Sequence, residues 1–266
     1  MPSLQLSKEL NIHYQDIQPE GSPVVLLLHG LGVNSESWGM QLPALQEAGF
    51  CVLTPDIRGF GKSTSPQGSV SVGDLAGDMS AMLQALEITC AVLVGISMGG
   101  ALALQMAIDA PTRVSKLVLI NTFACLYPKN ARTWLYFASR FALAHIVGVR
   151  AQAYTVANHL FPRPEEAGLR QIFVDQISQA NPAGYRAAMR ALARFNVSSH
   201  LKDISIPTLV ITGDQDRTVP REVQDFLVNN ITGARQEIIL GAGHAVTVEK
   251  PSQVNLLLTD FISDDC

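Results

Sequence analysis

The sequence predicts an α/β fold: a mostly parallel central sheet of about eight strands, helices on both faces, and a helical cap inserted between two of the strands. Three observations predict it. Short apolar runs rich in β-branched residues alternate with helix-forming segments. That alternation stops over residues 124–200, where helical patterns dominate and no strand pattern appears. The chain has 266 residues, 47% of them hydrophobic and 16% charged, which suffices for one large core carrying an insertion.

Taken in order, residues 4–17 can add an antiparallel hairpin at one edge of the sheet. Buried strands are expected at 24–30, 50–56, 91–95, 116–121, 207–213 and 236–241, because runs such as VVLLL and AVLV suit a sheet covered on both faces. Helices are expected at 38–48, 72–86, 98–109, 221–229 and 251–262. Within the insertion, helical signals lie in ARTWLYFASRFALAHIV, EEAGLRQIFVDQI and AGYRAAMRALARF. The expected division is a core of residues 1–123 and 201–266 around a cap of residues 124–200. Ligands of open α/β sheets bind beyond the carboxyl ends of the strands, so a cap placed there would roof the site.

The composition narrows the function. A net charge of −4 lacks the basic surplus that nucleic-acid binding usually requires. The N-terminus has no basic region followed by an apolar run, so no secretory signal is expected. Cys51, Cys90, Cys125 and Cys266 are scattered without paired spacing and read as reduced thiols of a cytoplasmic protein. His13, His145, His159 and His200 lack metal-ligand spacing, and neither a metal nor a cofactor is expected. Residues 88–108 carry no charge and are long enough to cross a bilayer. Gly95, Gly99 and Gly100 make a poor helix interior, however, and the stretch reads better as strand, tight turn and helix.

That turn contains GISMG, residues 95–99, a match to G-x-S-x-G. The pattern alone is common; a buried strand before it and a strong helix after it are what a nucleophile elbow requires. A serine at neutral pH needs a base to take its proton and an acid to orient that base. The chain offers both beyond later strands: Asp216 in GDQDRTVP and His244 in GAGH. Asp214 is the nearest rival to Asp216. In a parallel sheet these strand ends lie on one side.

Together with HGLG at residues 29–32 and DIRGFGKS at 56–63, these motifs resemble the α/β-hydrolase superfamily, of the capped serine esterase and lactonase type. The resemblance covers nearly all the chain outside the insertion. It implies Ser97 as nucleophile, His244 as general base and then acid, and Asp216 as the orienting carboxylate, because the pattern G-x-x-D-x-x-x-P falls on Gly213, Asp216 and Pro220. Some relatives carry the acid one strand earlier, where this chain has Asn121. The resemblance also implies an oxyanion hole from the backbone N–H groups of Leu31 and Met98. His29 reads as a brace for that loop, and Asp56 and Arg58 as pins of a neighbouring one. Trp38 could line the pocket or fill the core.

The implied reaction is hydrolysis of a small carboxylic ester or lactone through an acyl-enzyme. A carbon–carbon hydrolase of ring-cleavage products, a haloperoxidase-like perhydrolase and a small-molecule receptor with a vestigial triad are the alternatives. Ile96 and Ala245 depart from the Asn and Trp typical of the first. Trp134, Phe137, Phe161 and Tyr185 are expected to shape an apolar pocket or pack the cap. The cap holds nine basic and three acidic residues, a local charge of +6. Arg186, Arg190 and Arg194 recur every fourth residue and would form one helical stripe. That stripe is either a solvated face or a device that steers an anionic or carrier-linked substrate.

Overall fold

Eight strands form one sheet in the spatial order β1-β2-β4-β3-β5-β6-β7-β8. They are β1 (Ser3–Ser7), β2 (Leu10–Ile17), β3 (Val24–Leu28), β4 (Cys51–Pro55), β5 (Ala91–Ile96), β6 (Val114–Ile120), β7 (Thr208–Gly213) and β8 (Arg235–Ile239). The hairpin β1–β2 and the pair β2–β4 run antiparallel, and every other pairing is parallel. This is a computed structural model, and it describes residues 2–17, 23–65, 68–126 and 131–264, without the side chains of 132 and 133. Cys266, named above, lies outside the described residues, as do Lys129 and the side chain of Arg132, two of the nine basic residues counted in the cap.

Strand burial follows position in the sheet. β4 and β7 are buried at every residue and β5 at all but its last, as strands covered on both faces must be. β1 and β8 form the edges and alternate exposed with partly buried residues along most of their length. Helices α1 (Leu42–Glu47), α2 (Val72–Ala85) and α3 (Met98–Asp109) follow β3, β4 and β5 in turn. Between β6 and β7 come α4 (Ala131–Ala142), α5 (Val149–Leu160), α6 (Ala167–Gln179) and α7 (Pro182–Arg194). The chain then closes with α8 (Arg221–Asn230), α9 (Val246–Glu249) and α10 (Pro251–Ser263).

Two apolar layers sandwich the sheet. On one face Trp38, Leu45 of α1 and Leu258, Phe261 and Ile262 of α10 pack on Val25, Val94 and Ile211. On the other, Met79 and Met82 of α2 and Leu102 of α3 form a layer that runs on into Ala153 and Tyr185 of the insertion. The insertion is thus packed continuously with the core. Its neck is closed where Cys125 bridges Asn196 and Val197 N–H donates to the Ala124 carbonyl (2.9 Å).

Two expectations need correction. The helix expected at 38–48 is a short 3-10 turn, Ser35–Trp38, followed by α1 from Leu42. The Asn34 side chain accepts from Glu36 N–H (3.0 Å) and caps the turn, while Pro43 favours a fresh helix start. Within the insertion, α5 was named by none of the predicted helices. Gly148, at φ 123°, separates it from the preceding run. The uncharged stretch 88–108 divides into β5, a turn and α3, and no described helix is long and apolar enough to cross a membrane.

Candidate active site

Sheet order reverses at β3: β4 lies on one side of it and β5 on the other. The crevice beyond the carboxyl ends of β3 and β5 is therefore the topological switch point, where open α/β sheets take ligands. Residues 29–32 leave β3 there and Ser97 leaves β5.

Ser97 sits between β5 and α3 with φ 54° and ψ −113°, a conformation that L-residues rarely adopt. The turn is so tight that a Cβ on Gly95 would meet the Gly99 backbone, and a Cβ on Gly99 would meet the Leu28 carbonyl of β3. Glycine is required at both positions by this close approach of strand and helix. The Ser97 N–H is held by the Ile120 carbonyl (3.0 Å), and its own carbonyl accepts from the Thr122 hydroxyl (2.6 Å) and from Ala101 N–H (3.1 Å).

Asp216 follows β7 and His244 follows β8. The His244 Nδ1 lies 2.7 Å from Asp216 Oδ2, and the Asp216 side chain is fully buried. The other carboxylate oxygen accepts from Thr218 N–H (2.8 Å) and Val219 N–H (2.9 Å). An imidazole tied in this way carries its proton on Nδ1 and keeps Nε2 free to accept one. His244 and Ser97 line one cavity. No direct hydrogen bond joins them among the described residues; such contacts commonly tighten only once substrate is bound. Asp214 is directed elsewhere: its Oδ1 accepts from Gly241 N–H (2.7 Å) and Ala242 N–H (3.3 Å), pinning the loop before His244.

Two supporting residues escaped the sequence reading in this role. Asn121, just after β6, donates to the carbonyls of Gly243 and His244 (2.9 Å each) and accepts from Gly213 N–H (2.9 Å). It ties three strand ends together at φ 44°. Glu249 accepts from Gly243 N–H (2.7 Å) and Ala245 N–H (3.0 Å), clamping the loop on both sides of His244. Burial pushes its carboxyl above the usual range, and those two N–H groups oppose the rise. The sequence marked Asn121 only as the place where some relatives carry the acid and did not mark Glu249 at all; their contacts assign both.

His29 is a brace. It is fully buried; its Nε2 accepts from Ile57 N–H (3.0 Å), so Nδ1 bears the hydrogen and donates to the Gly30 carbonyl (2.8 Å). Burial holds its pKa down to about 4 from 6.5, against weaker opposing pulls from that carbonyl and from Asp56. The folded chain therefore refuses a proton that the unfolded chain accepts below 6.5. Stability is expected to fall as pH drops from about 6.5 toward 4, by up to about 3 kcal/mol from this group. Replacing His29 with Gln, which keeps a donor and an acceptor, should flatten that part of the profile. Urea unfolding of both proteins across this pH range checks it, and identical slopes would contradict it.

The neighbouring loop is pinned as expected. Asp56 accepts from Ser35 N–H (2.9 Å) and Lys62 N–H (2.8 Å) and lies 3.1 Å from His13 Nδ1. Burial alone would raise its pKa, but the N–H groups of Lys62 and Ser35 hold it below the usual range. Arg58 grips Asp78 on α2 through two nitrogens.

The cavity has a volume of about 650 Å³, ordinary for a small-molecule site. Leu31, Trp134 and Phe137 line it, and so does Trp38, which is only 1% exposed and serves core and pocket together. Phe161 and Tyr185 do not line it, which corrects their expected place. Phe161 is fully buried edge-on against Phe173 (4.9 Å), and Tyr185 is fully buried against Gly32, where a Cβ would come within 2.9 Å of its ring. Arg186, Arg190 and Arg194 lie along α7 as the spacing requires, but none reaches the cavity wall. Arg190 instead stands 3.1 Å from His145 Nε2. Met98, first residue of α3, is fully buried. The backbone N–H groups of Leu31 and Met98 have no protein partner among the described residues.

A switch-point serine on a strained turn and a buried imidazole–carboxylate pair define an α/β hydrolase. The family described as "alpha/beta hydrolase fold" matches residues 23–251, and the chain belongs to it. A provisionally named carbamate hydrolase, RutD, of Variovorax paradoxus is 32% identical over 258 residues, spanning 95% of this chain and 96% of its own. The "3-oxoadipate enol-lactonase 2" of Acinetobacter baylyi is 30% identical, with 94% of this chain and 92% of that one covered. Among solved structures, the enol-lactonase from Burkholderia xenovorans LB400 superposes with a TM-score of 0.91 at 25% identity, covering 99% of this chain and 100% of that one. By family and by the names of its relatives, the chain is a hydrolase.

Proposed function

We propose that the chain hydrolyses a small carboxylic ester or lactone through an acyl-enzyme formed on Ser97. The observation that supports this most strongly is the His244–Asp216 contact of 2.7 Å, with the carboxylate sealed from solvent, in a loop that shares its cavity with Ser97. The Ser97 Oγ attacks the carbonyl carbon while its proton passes to His244 Nε2. The oxyanion that forms is met by the N–H groups of Leu31 and Met98, the latter at a helix N-terminus. When the tetrahedral intermediate collapses, the carbonyl re-forms, the bond from its carbon to the leaving oxygen breaks, and that oxygen takes the proton from His244. Water repeats the cycle in reverse and frees Ser97. Asp216 fixes the tautomer and stabilises the imidazolium. Residues 124–200 act as the cap of this site. A carbamate carbonyl, the group in the name of one relative, would undergo the same steps.

The test is trapping. Excess p-nitrophenyl ester should release a burst of about one equivalent of p-nitrophenol and then turn over steadily. Peptide mass spectrometry of the quenched protein should place the acyl group on Ser97. A burst without turnover would mark a receptor, and peroxide consumed far in preference to water would mark a perhydrolase; either outcome overturns the reading.

A further inference from the structure

One group of polar atoms in the cavity has no part in the triad. Arg140 of α4 is only 8% exposed, yet it lines the cavity with Ser97 and His244. With the Gln152 amide turned so that both its ends are paired, its oxygen accepts from Arg140 Nε (2.7 Å), and Arg140 Nη2 lies 3.4 Å from Tyr185 Oη. Both partners are neutral. Among the described residues no carboxylate pairs with it. The one carboxylate on the cavity lining is Glu36, which is exposed. A guanidinium cannot shed its charge, so a buried one without a counter-ion is costly.

Beside it stand two hydroxyls within reach of one another, neither in a well-formed hydrogen bond. Tyr136 Oη and Thr218 Oγ1 are buried atoms with no hydrogen bond, and both residues line the same cavity. The Arg140 guanidinium lies over the Tyr136 ring, 5.5 Å from its centroid, and the same ring stacks on His159 at 4.4 Å. Burial raises the Tyr136 pKa, so its hydroxyl stays protonated and able to donate. Thr218 is anchored by its backbone N–H on Asp216 (2.8 Å), so this residue borders the imidazole–carboxylate pair. A buried cation without a carboxylate partner and two buried hydroxyls thus share one largely apolar chamber. Their chemical complement is a compact planar anion with two acceptor oxygens.

We propose that Arg140, Tyr136 and Thr218 form a carboxylate subsite, so that this hydrolase selects esters or lactones bearing a free carboxylate on the acyl side. The proposal rests on the hydrolase reading above and adds the substrate class. It places anion recognition inside the cavity, on α4 and the loop after β7, and not on the arginine stripe of α7.

The experiment compares mono-p-nitrophenyl glutarate with its uncharged carboxamide analogue, in the wild type and in Arg140→Gln, Tyr136→Phe and Thr218→Val. The wild type should favour the acid in kcat/KM by at least about a hundred-fold. Arg140→Gln should lower that preference about a hundred-fold, mostly through KM. Tyr136→Phe and Thr218→Val, which nearly keep side-chain shape, should each lower it about tenfold. Succinate and glutarate should raise the Tm of the wild type but not of Arg140→Gln, a readout independent of turnover. Should Arg140→Gln fail to fold, Tyr136→Phe and the dicarboxylate effect on the wild type decide the matter. A wild type that treats acid and amide alike, with no thermal shift from either dicarboxylate, overturns the subsite while Ser97-dependent hydrolysis of the amide analogue stands. A thermal shift that vanishes in Arg140→Gln, without hydrolysis of either ester, upholds the subsite and sinks the hydrolase reading.

Discussion

Replacing Ser97 with alanine is expected to lower kcat by about a million-fold, the loss seen when a triad serine is removed from a serine hydrolase. The residue that remains holds no nucleophile, while the N–H groups of Leu31 and Met98 and the cavity wall are unchanged. KM should move little, and the burst of p-nitrophenol should vanish. The Ser97 side chain caps nothing in α3, and alanine meets the same positive φ. The Tm should therefore stay within about 2 °C of the wild type. Steady-state rates on a short-chain ester, with intact protein mass to exclude contaminating enzyme, check the prediction. An alanine variant retaining more than about 1% of wild-type activity would identify a different nucleophile.

Asp216→Asn should cost about ten thousand-fold in kcat, through the tautomer and not through loss of shape. The reason lies in the three contacts of the carboxylate. Its Oδ1 serves two backbone N–H groups, Thr218 and Val219, and its Oδ2 serves the His244 ring. An asparagine has one oxygen, which those N–H groups require. Its NH2 must then face the ring and donate to Nδ1, which moves the ring hydrogen to Nε2 and leaves no base for Ser97. Asp214→Asn separates the two candidates for the acid. Asp214 holds Gly241 and Ala242 and does not touch the ring, so its loss should reduce kcat by less than about tenfold and appear mainly in stability. A reversed ranking of the two variants would exchange their roles.

Much of this arrangement was legible in the chain. The strand positions could be read because parallel strands buried on both faces are runs of apolar residues with no alternation to conceal them. The turn at Ser97 could be read because strand and helix approach so closely that only glycine fits at 95 and 99. The helix at 38–48 misled because its apolar spacing suits a helix, while Asn34, Gly39 and Pro43 break it into a capped turn and a short helix. Phe161 and Tyr185 misled for another reason: an aromatic residue on a cap helix can face the chamber or the packing between helices, and sequence spacing does not say which.

Local order and chemistry along the chain therefore determined the sheet, the elbow and the choice of Ser97, Asp216 and His244 as candidates for the proposed triad, because each depends on a run of neighbours or on a small residue that geometry demands. Tertiary structure alone decided that Asn121 and Glu249 fasten the His244 loop, that His29 is a neutral brace, and that Arg140, not the α7 arginines, faces the cavity. Those assignments depend on which groups are buried together, and burial is set by how distant segments pack, a property no single stretch of sequence carries.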